Sequence, residues 1–359
     1  MQTDVIERGK AELRDVRKRS RSLYWAVGIF SAFANLLMLT GPLYMLQVYD
    51  RVLGSGSEET LVALSLLLLF AYAVMGVLDY TRGRIMARVG ARFQDDLDRR
   101  VFDAVIRKSA VAPDEKTNAS LSDLEAVQRL ITSPVLMAAF DLPWTPIFFA
   151  AIFVFHPWLG YLALVGGAVL VMIAIANQYL SRGAQARAAM AGQQAGSMAD
   201  QIRTEAEMVQ AMGMRDAAFT RWQKARGEAL TGHVRATDVG GTFTSLTKTL
   251  RLFLQSAMLG LGAYLVLQNE MTAGAMIAGS ILLGRALAPI ELGLGQWPIV
   301  QRGVAGWRNL AALLGTVPVE AARTDLPKPR AKLAAKNLTV VPPGEKQASL
   351  KGITFTVEP

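Results

Sequence analysis

Uncharged stretches long enough to cross a bilayer alternate with long charged ones, and that rhythm restricts the chain to a multi-span membrane fold. Residues 22–49 carry no charged side chain, and neither do 60–78, 142–181 or 252–269. A hydrocarbon core of about 30 Å takes roughly 20 apolar residues per helix, so 142–181 holds two spans, creased at His156-Pro157. Residues 271–297 form a sixth, interrupted by Arg285 and Glu291. The expected spans are 22–48, 59–81, 137–156, 158–180, 246–268 and 271–297. The stretches between them alternate between very short and very long.

Composition excludes several classes. At 52% hydrophobic the chain is too apolar for an ordinary soluble domain, and at 19% charged it is too polar to lie wholly in lipid. The net charge of +9 does not read as a nucleic-acid footprint, because no basic stretch is interleaved with stacking aromatics. It reads as the basic bias of cytoplasmic loops. There is no cysteine, which excludes disulfides and thiolate metal sites. His156 and His233 are the only histidines, so no metal site is expected.

The basic residues set the orientation. Arg8, Lys10, Arg14, Arg17, Lys18, Arg19 and Arg21 precede the first span, and 79–141 and 182–251 are equally rich. The loop 50–59 carries only Arg51 against three acids, and the turns at His156-Pro157 and near Glu270 carry no basic residue. Both ends of the chain are therefore expected on the cytoplasmic side. The first apolar run is too long for a cleaved signal peptide.

The long charged stretches read as helices. Ile85, Val89, Phe93, Leu97, Val101 and Val105 recur every four residues, which gathers them on one face. No proline separates them from the second span, so one helix is expected over about 59–109. At 1.5 Å per residue it is on the order of 75 Å long, more than twice the bilayer core. The Ala-rich stretch 180–210 should run outward in the same way, and 235–248 should return. Two breaks sit at the far ends. One lies around 113–118, after which Ser120 or Ser122 can cap a helix, Ser122 with Glu125 as a capping box. The other lies at 211–216. Asn118, Ser120, Leu121, Ser122 and Asp123 at the first, and Met212, Gly213, Met214, Arg215 and Asp216 at the second, are candidate docking tips for a cytoplasmic partner. Plain solvated loops are the competing reading.

The tail changes character. Residues 319–332 form a linker containing Pro327 and Pro329, and 333–359 hold a segment at 333–341, a Pro342-Pro343-Gly344 turn and an alternating strand at 353–357. Two strands cannot bury a core, so this reads as the start of a further domain.

These residues resemble a family. Six spans with long internal extensions after the second and fourth, then a linker and the strands Leu338-Thr339-Val340 and Leu350-Lys351-Gly352-Ile353-Thr354-Phe355, resemble an ATP-binding-cassette exporter half-transporter. Gly41-Pro42-Leu43-Tyr44-Met45-Leu46-Gln47-Val48-Tyr49-Asp50-Arg51-Val52 resembles the first span of bacterial type I secretion transporters, which export repeats-in-toxin proteases, lipases and surface-layer proteins. Asp141-Leu142-Pro143-Trp144-Thr145-Pro146 and Met208-Val209-Gln210-Ala211-Met212-Gly213-Met214 fit the same family.

The resemblance implies a fold: an arm at 1–21, a six-helix transmembrane domain at 22–318, the linker, and an incomplete nucleotide-binding domain from 333. It implies an ATP-hydrolysing protein translocase of the bacterial inner membrane, working as a homodimer surrounded by membrane lipids. Its cargo would be an unfolded secreted polypeptide with a C-terminal signal, and a periplasmic membrane-fusion adaptor and an outer-membrane channel would be its partners. Nucleic acid is not among them. ATP and Mg2+ would bind through the nucleotide-binding domain, and the two tips would carry its motion to the spans.

The pattern Gly-x-x-x-x-Gly-Lys-Ser/Thr occurs nowhere. The one Gly-Lys pair, Gly9-Lys10, has Asp4 and Ala11 where glycine and a hydroxyl are needed, so this chain should not hydrolyse ATP by that route. Val340-Val341-Pro342 lacks the adenine-stacking aromatic of many cassettes. With only about 22 residues before the first span, no leader-peptidase domain is expected. An exporter of lipid or small hydrophobic molecules, and a non-enzymatic membrane scaffold, remain alternatives.

Charges inside spans face water or the bundle interior, which makes Lys248, Arg251, Arg285 and Glu291 the candidate translocation path. Arg285 and Glu291 are six apart with Pro289 between, a poor spacing for pairing on one helix, so an inter-helix role is favoured. Asp50 and Arg51 read as interface residues at the outer mouth, and His156 as an outer-surface turn residue. Gly41-Pro42 should kink the first span. Asp141 reads as a helix cap or as a channel residue.

Overall fold

The computed structural model describes residues 2–111, 120–319, 332–342 and 347–358. Among them the chain is helical apart from one hairpin. In order come α1 (Gln2–Arg19), α2 (Arg21–Leu37), α3 (Thr40–Gln47) with a π-helical turn Val48–Val52 and a last turn Leu53–Ser55, and α4 (Glu58–Val111). Then follow α5 (Ser120–Ile131), α6 (Pro134–Asp141), a 3-10 turn Leu142–Trp144, α7 (Thr145–Phe155), α8 (Pro157–Thr204) and α9 (Ala206–Ala211). The chain continues as α10 (Arg215–Leu267), α11 (Ala273–Gly295), α12 (Trp297–Thr316), β1 (Leu333–Val340) and β2 (Leu350–Val357). Among the described residues, six helical stretches are long and apolar enough to cross a membrane: Arg21–Ser55, Glu58–Ala110, Pro134–Phe155, Pro157–Thr204, Arg215–Leu267 and Ala273–Gly295.

The chain divides into two compact units. One comprises 1–30, 79–136 and 297–359. Its core is the stripe on α4 that the four-residue spacing predicts. Val89, Phe93, Leu97, Val101 and Val105 of that stripe are buried, while Ile85 is half-buried and Met86 beside it is buried instead, together with Leu124 and Val127 of α5 and Leu310, Leu313 and Leu314 of α12. The N-terminal arm is a helix, α1, with Leu13 and Val16 buried. It packs on α12 backbone to backbone: a Cβ at Gly9 would strike the Ala311 carbonyl, and one at Gly315 the Val5 carbonyl. Only glycine permits that approach, which is how small residues bring helices together. On its outer face Lys10 hydrogen-bonds Glu7 at 2.8 Å and so holds that carboxyl below the usual carboxylate range. The strands pair antiparallel, with Leu333 opposite Val357 and Val340 opposite Leu350.

The other unit comprises 31–78 and 137–296. Phe148 and Ile152 of α7, Leu159, Ala163 and Leu170 of α8, Leu254, Met258 and Leu265 of α10, and Leu282, Leu283, Ala286 and Leu287 of α11 form its core. Helices α8 and α10 make an antiparallel hairpin. Gly166 faces Leu254, while Gly232 faces Ala188. At 48 and 53 residues they run for roughly 70–80 Å, far beyond a bilayer core of about 30 Å. In the second span the most apolar window is only 6% buried. Such a surface suits lipid or a further protein, not water.

At Pro42, where the kink is expected, the α-helical pattern is interrupted: α2 stops at Leu37 and α3 restarts at Thr40, within one helical stretch Arg21–Ser55. Pro42 has no N–H to give the Met38 carbonyl, and its ring would strike it. Ser122 is not a cap, because α5 has already begun by Ser120, and the Ser122 hydroxyl instead accepts from Arg302 at 3.2 Å. Asp141 makes no side-chain cap either.

Candidate functional site

The charged residues of the fifth and sixth spans meet across helices. Arg251, on α10, places Nε 2.9 Å from Oε2 of Glu291, on α11. Both side chains are partly buried. A charge pair at this depth is retained only where each partner neutralises the other. Thr247, one turn earlier on α10, is buried, and its hydroxyl has no hydrogen-bond partner among the described residues. Lys248 and Arg285 are exposed, and neither has an ion-pair partner among the described residues. The four candidates thus divide into one pair and two outward-facing cations. They do not form one cluster.

A second polar contact lies between the first and third spans. Asn35 Nδ2 donates to Asp141 Oδ1 at 2.7 Å and to the Ser31 carbonyl at 2.8 Å. Asn35 and Ser31 are buried. Inside a bilayer such an amide must find partners within the protein. Asp141 therefore acts as an inter-helix acceptor.

The ends of the spans opposite the long extensions are tied by Asp50. The π-helical turn Val48–Val52 carries it. Its Oδ2 accepts from Thr272 Oγ1 at 2.7 Å, and its Oδ1 accepts from the Gly274 amide at 3.0 Å. Thr272 in turn accepts from the Ala275 amide and caps α11. A carboxylate here satisfies free amides and meets the positive end of the helix dipole. Gly274 is required, because a Cβ there would press on Asp50 and the Leu46 carbonyl. Nearby, Asn269 takes a left-handed conformation (φ 61°) to close α10, and Glu270 lies 3.2 Å from His156 Nε2. The Nδ1 of His156 accepts from the Trp158 amide and caps α8. His156 is thus a capping turn residue.

The tips differ from each other. Asn118 lies outside the described residues. Ser120 and Asp123 are buried, and Asp123 is wholly buried. Asp123 Oδ1 lies 2.9 Å from Arg302 Nη1, and Oδ2 accepts from Asn309 Nδ2 at 2.8 Å. Gly306 lets α12 approach the Asp123 backbone. The carboxylate is committed to α12 and does not face a partner, whereas Leu121 stays exposed. At the second tip Gly213 takes φ 66°, the Met214 amide bonds the Val209 carbonyl at 2.9 Å, and the Gly213 amide bonds that of Gln210 at 3.2 Å. This is a glycine-terminated helix end. It leaves Met208, Met212 and Met214 bare, with Arg215 and Asp216 opening α10.

Sequence reasoning missed Asp50 as a cap, Arg302, Asn309, and the helix α12 that carries the last two. The spacing Gly303, Gly306, Leu310, Leu313, Leu314 was a legible helical signal.

Known proteins match along this frame. Residues 24–287 fit the family model for the ABC transporter transmembrane region. Over 353 residues the chain is 36% identical to the type I secretion system ATP-binding protein PrsD of Rhizobium meliloti (strain 1021), covering 97% of this chain and 59% of that protein. It is 22% identical over 325 residues to the leukotoxin translocation ATP-binding protein LktB of Mannheimia glucosida, covering 89% of this chain and 46% of that one. The chain thus spans about half the length of these curated relatives. A solved bacterial Atm1-family ABC exporter with ATP bound superposes with a TM-score of 0.71 at 16% identity, over 94% of this chain and 62% of its own. That likeness concerns the fold.

Proposed function

Because this chain belongs to the family of ABC transporter transmembrane regions, we propose that it is the permease part of a type I secretion exporter of the bacterial inner membrane. Its cargo is an unfolded polypeptide with a C-terminal signal. The carrying observation is the 36% identity to PrsD along nearly the whole chain. The exporter works as a homodimer, with both chain ends in the cytoplasm, and hands cargo to a periplasmic adaptor and an outer-membrane channel. The second relative is named for leukotoxin translocation, which supports an export role.

The residues of this chain do not fit ATP. The sequence has no Gly-x-x-x-x-Gly-Lys-Ser/Thr pattern, and β1 and β2 pair with no further strand among the described residues. We therefore assign ATP and Mg2+ to a nucleotide-binding part outside residues 1–359. This chain receives displacement at Leu121 and at Met212–Met214 and presents charges to the cargo at Lys248 and Arg285. The Arg251–Glu291 pair holds the fifth and sixth spans together beside that path.

The test is reconstitution of this permease together with its nucleotide-binding part in a secretion-deficient host with an adaptor, an outer-membrane channel and a candidate cargo. Cargo should reach the medium, and Arg285→Ala should reduce it while dimer assembly persists. Lipid export by vesicles with no adaptor bound would select the lipid-exporter alternative. Unchanged secretion in the Arg285→Ala variant would remove Arg285 from the path.

A further inference from the structure

Two arginines on α4 enclose the end of α12. Arg100 Nη2 donates to the Val317 carbonyl at 2.6 Å and reaches the Leu314 carbonyl at 3.5 Å. Its Nε donates to Glu12 Oε1 at 2.8 Å, and Nη2 lies 3.4 Å from Oε2, so the same guanidinium also ties α1. Two turns on, Arg107 Nη1 donates to the Pro318 carbonyl at 3.1 Å. The last carbonyls of a helix lack internal partners and carry the negative end of its dipole. A planar guanidinium is the one side chain that can hold a carboxylate along one edge and a carbonyl along another. Arg100 is largely buried, at 17% side-chain exposure. That burial limits the screening of its contacts by water and salt.

We infer that Arg100, seconded by Arg107, is a positioning residue that makes α1, the 79–111 part of α4 and the end of α12 move as one body. This rests on the exporter reading. Past Pro318 the chain leads towards β1 and β2, and past Val111 it leads into the first tip. Displacement entering at either place would thus reach α4 and α12 together. Without the collar the two helices would answer separately, and work done on one would not reach the other. Aromatic packing reinforces the body at its centre: Phe93 stacks on Trp307 at 5.9 Å between ring centroids, and Arg17 lies 6.0 Å over the same ring.

Residues 1–359 have no cysteine, so this part of the transporter adds no background label, and any cysteine of the nucleotide-binding part is first replaced by serine. Asp103 and Thr316 are both exposed. With cysteines at these two positions in one protomer of a mixed dimer whose partner protomer is left unlabelled, the full transporter should give one narrow distance distribution. Arg100→Lys keeps the charge but offers a point donor in place of the fork, and it should broaden the distribution. Secretion should fall about tenfold, within the range of ordinary coupling energies, while basal ATPase and the melting temperature hold. An unchanged distribution in both Arg100→Lys and Arg100→Ala overturns the collar. Broadening with normal secretion overturns its role in transmission. Joint loss of folding, ATPase and secretion in both variants reduces Arg100 to a structural residue and also overturns it. If the unsubstituted transporter secretes nothing, the exporter reading fails, and the distance measurement still tests the collar.

Discussion

Glu291 of α11 reaches across to Arg251 of α10, Oε2 to Nε, at 2.9 Å. The pair is partly shielded, so its worth lies between that of exposed and buried pairs. Removing one partner should cost about 1–3 kcal/mol. Arg251→Gln and Glu291→Gln should each lower the melting temperature in detergent and reduce secretion. The charge-swapped double variant, Arg251→Glu with Glu291→Arg, should recover part of both. Double-mutant-cycle coupling near zero would show that the two charges act independently.

Replacing Asp50 by Ala should release the cap on α11, and replacing it by Asn should keep most of it. Asn can still accept from the Gly274 amide, while Ala leaves that amide and the Thr272 hydroxyl bare. Asp50→Ala should therefore cost roughly 1 kcal/mol, the usual worth of a helix cap, and Asp50→Asn much less. Gly274→Ala should be worse than either, because its methyl enters the space that Asp50 occupies. Thermal melting of the three variants ranks them. A Gly274→Ala variant as stable as the parent would contradict the close approach.

What the sequence could reveal follows from the range of each interaction. The long helix α4 was legible because its spacing is local: Val89, Phe93, Leu97 and Val101 repeat at a helical period and are buried where that period puts them. The spans were legible because lipid tolerates no charge along 60–78 or 252–269. The helix end at Gly213 was legible because glycine is the residue that adopts a left-handed conformation at little cost. The partner of Asp50 was not, since it lies 222 residues away and depends on which helix ends meet. The same holds for Arg100 and Val317, and for Asp123 and Arg302. A charge next to a break looks solvated until packing places a helix over it, which is why Asp123 read as a tip residue.

Asp123 separates a structural from a docking role. It is wholly buried, while its partner Arg302 is half exposed. Asp123→Ala strands the Asn309 amide and opens a cavity, and should cost about 3–5 kcal/mol, the range for breaking a buried charge pair. Arg302→Ala should cost as much or more if the carboxylate stays ionised, because a lone buried charge is worse than none. Asp123→Asn should be milder. Leu121→Ala, at the exposed position beside it, should leave melting unchanged and lower secretion. A stable, fully folded Asp123→Ala protein would contradict the burial and return this residue to the docking surface.

Trypsin can read the orientation directly, because the basic residues are so unevenly placed. In the short connections at 50–57, 156 and 268–272 the sole basic residue is Arg51. The opposite ends of the same helices carry Arg203 and Arg215, beside an exposed turn. In sealed inside-out vesicles trypsin should cut first near Arg203 and Arg215, separating α8 from α10 while both stay embedded. In right-side-out vesicles it should leave that hairpin whole and attack, at most, Arg51. The α10 fragment begins near residue 216 and its length on a gel identifies the cut. Cleavage at Arg215 from the periplasmic face would invert every span, put Leu121 and the bare methionines out of reach of any cytoplasmic engine, and defeat the exporter reading.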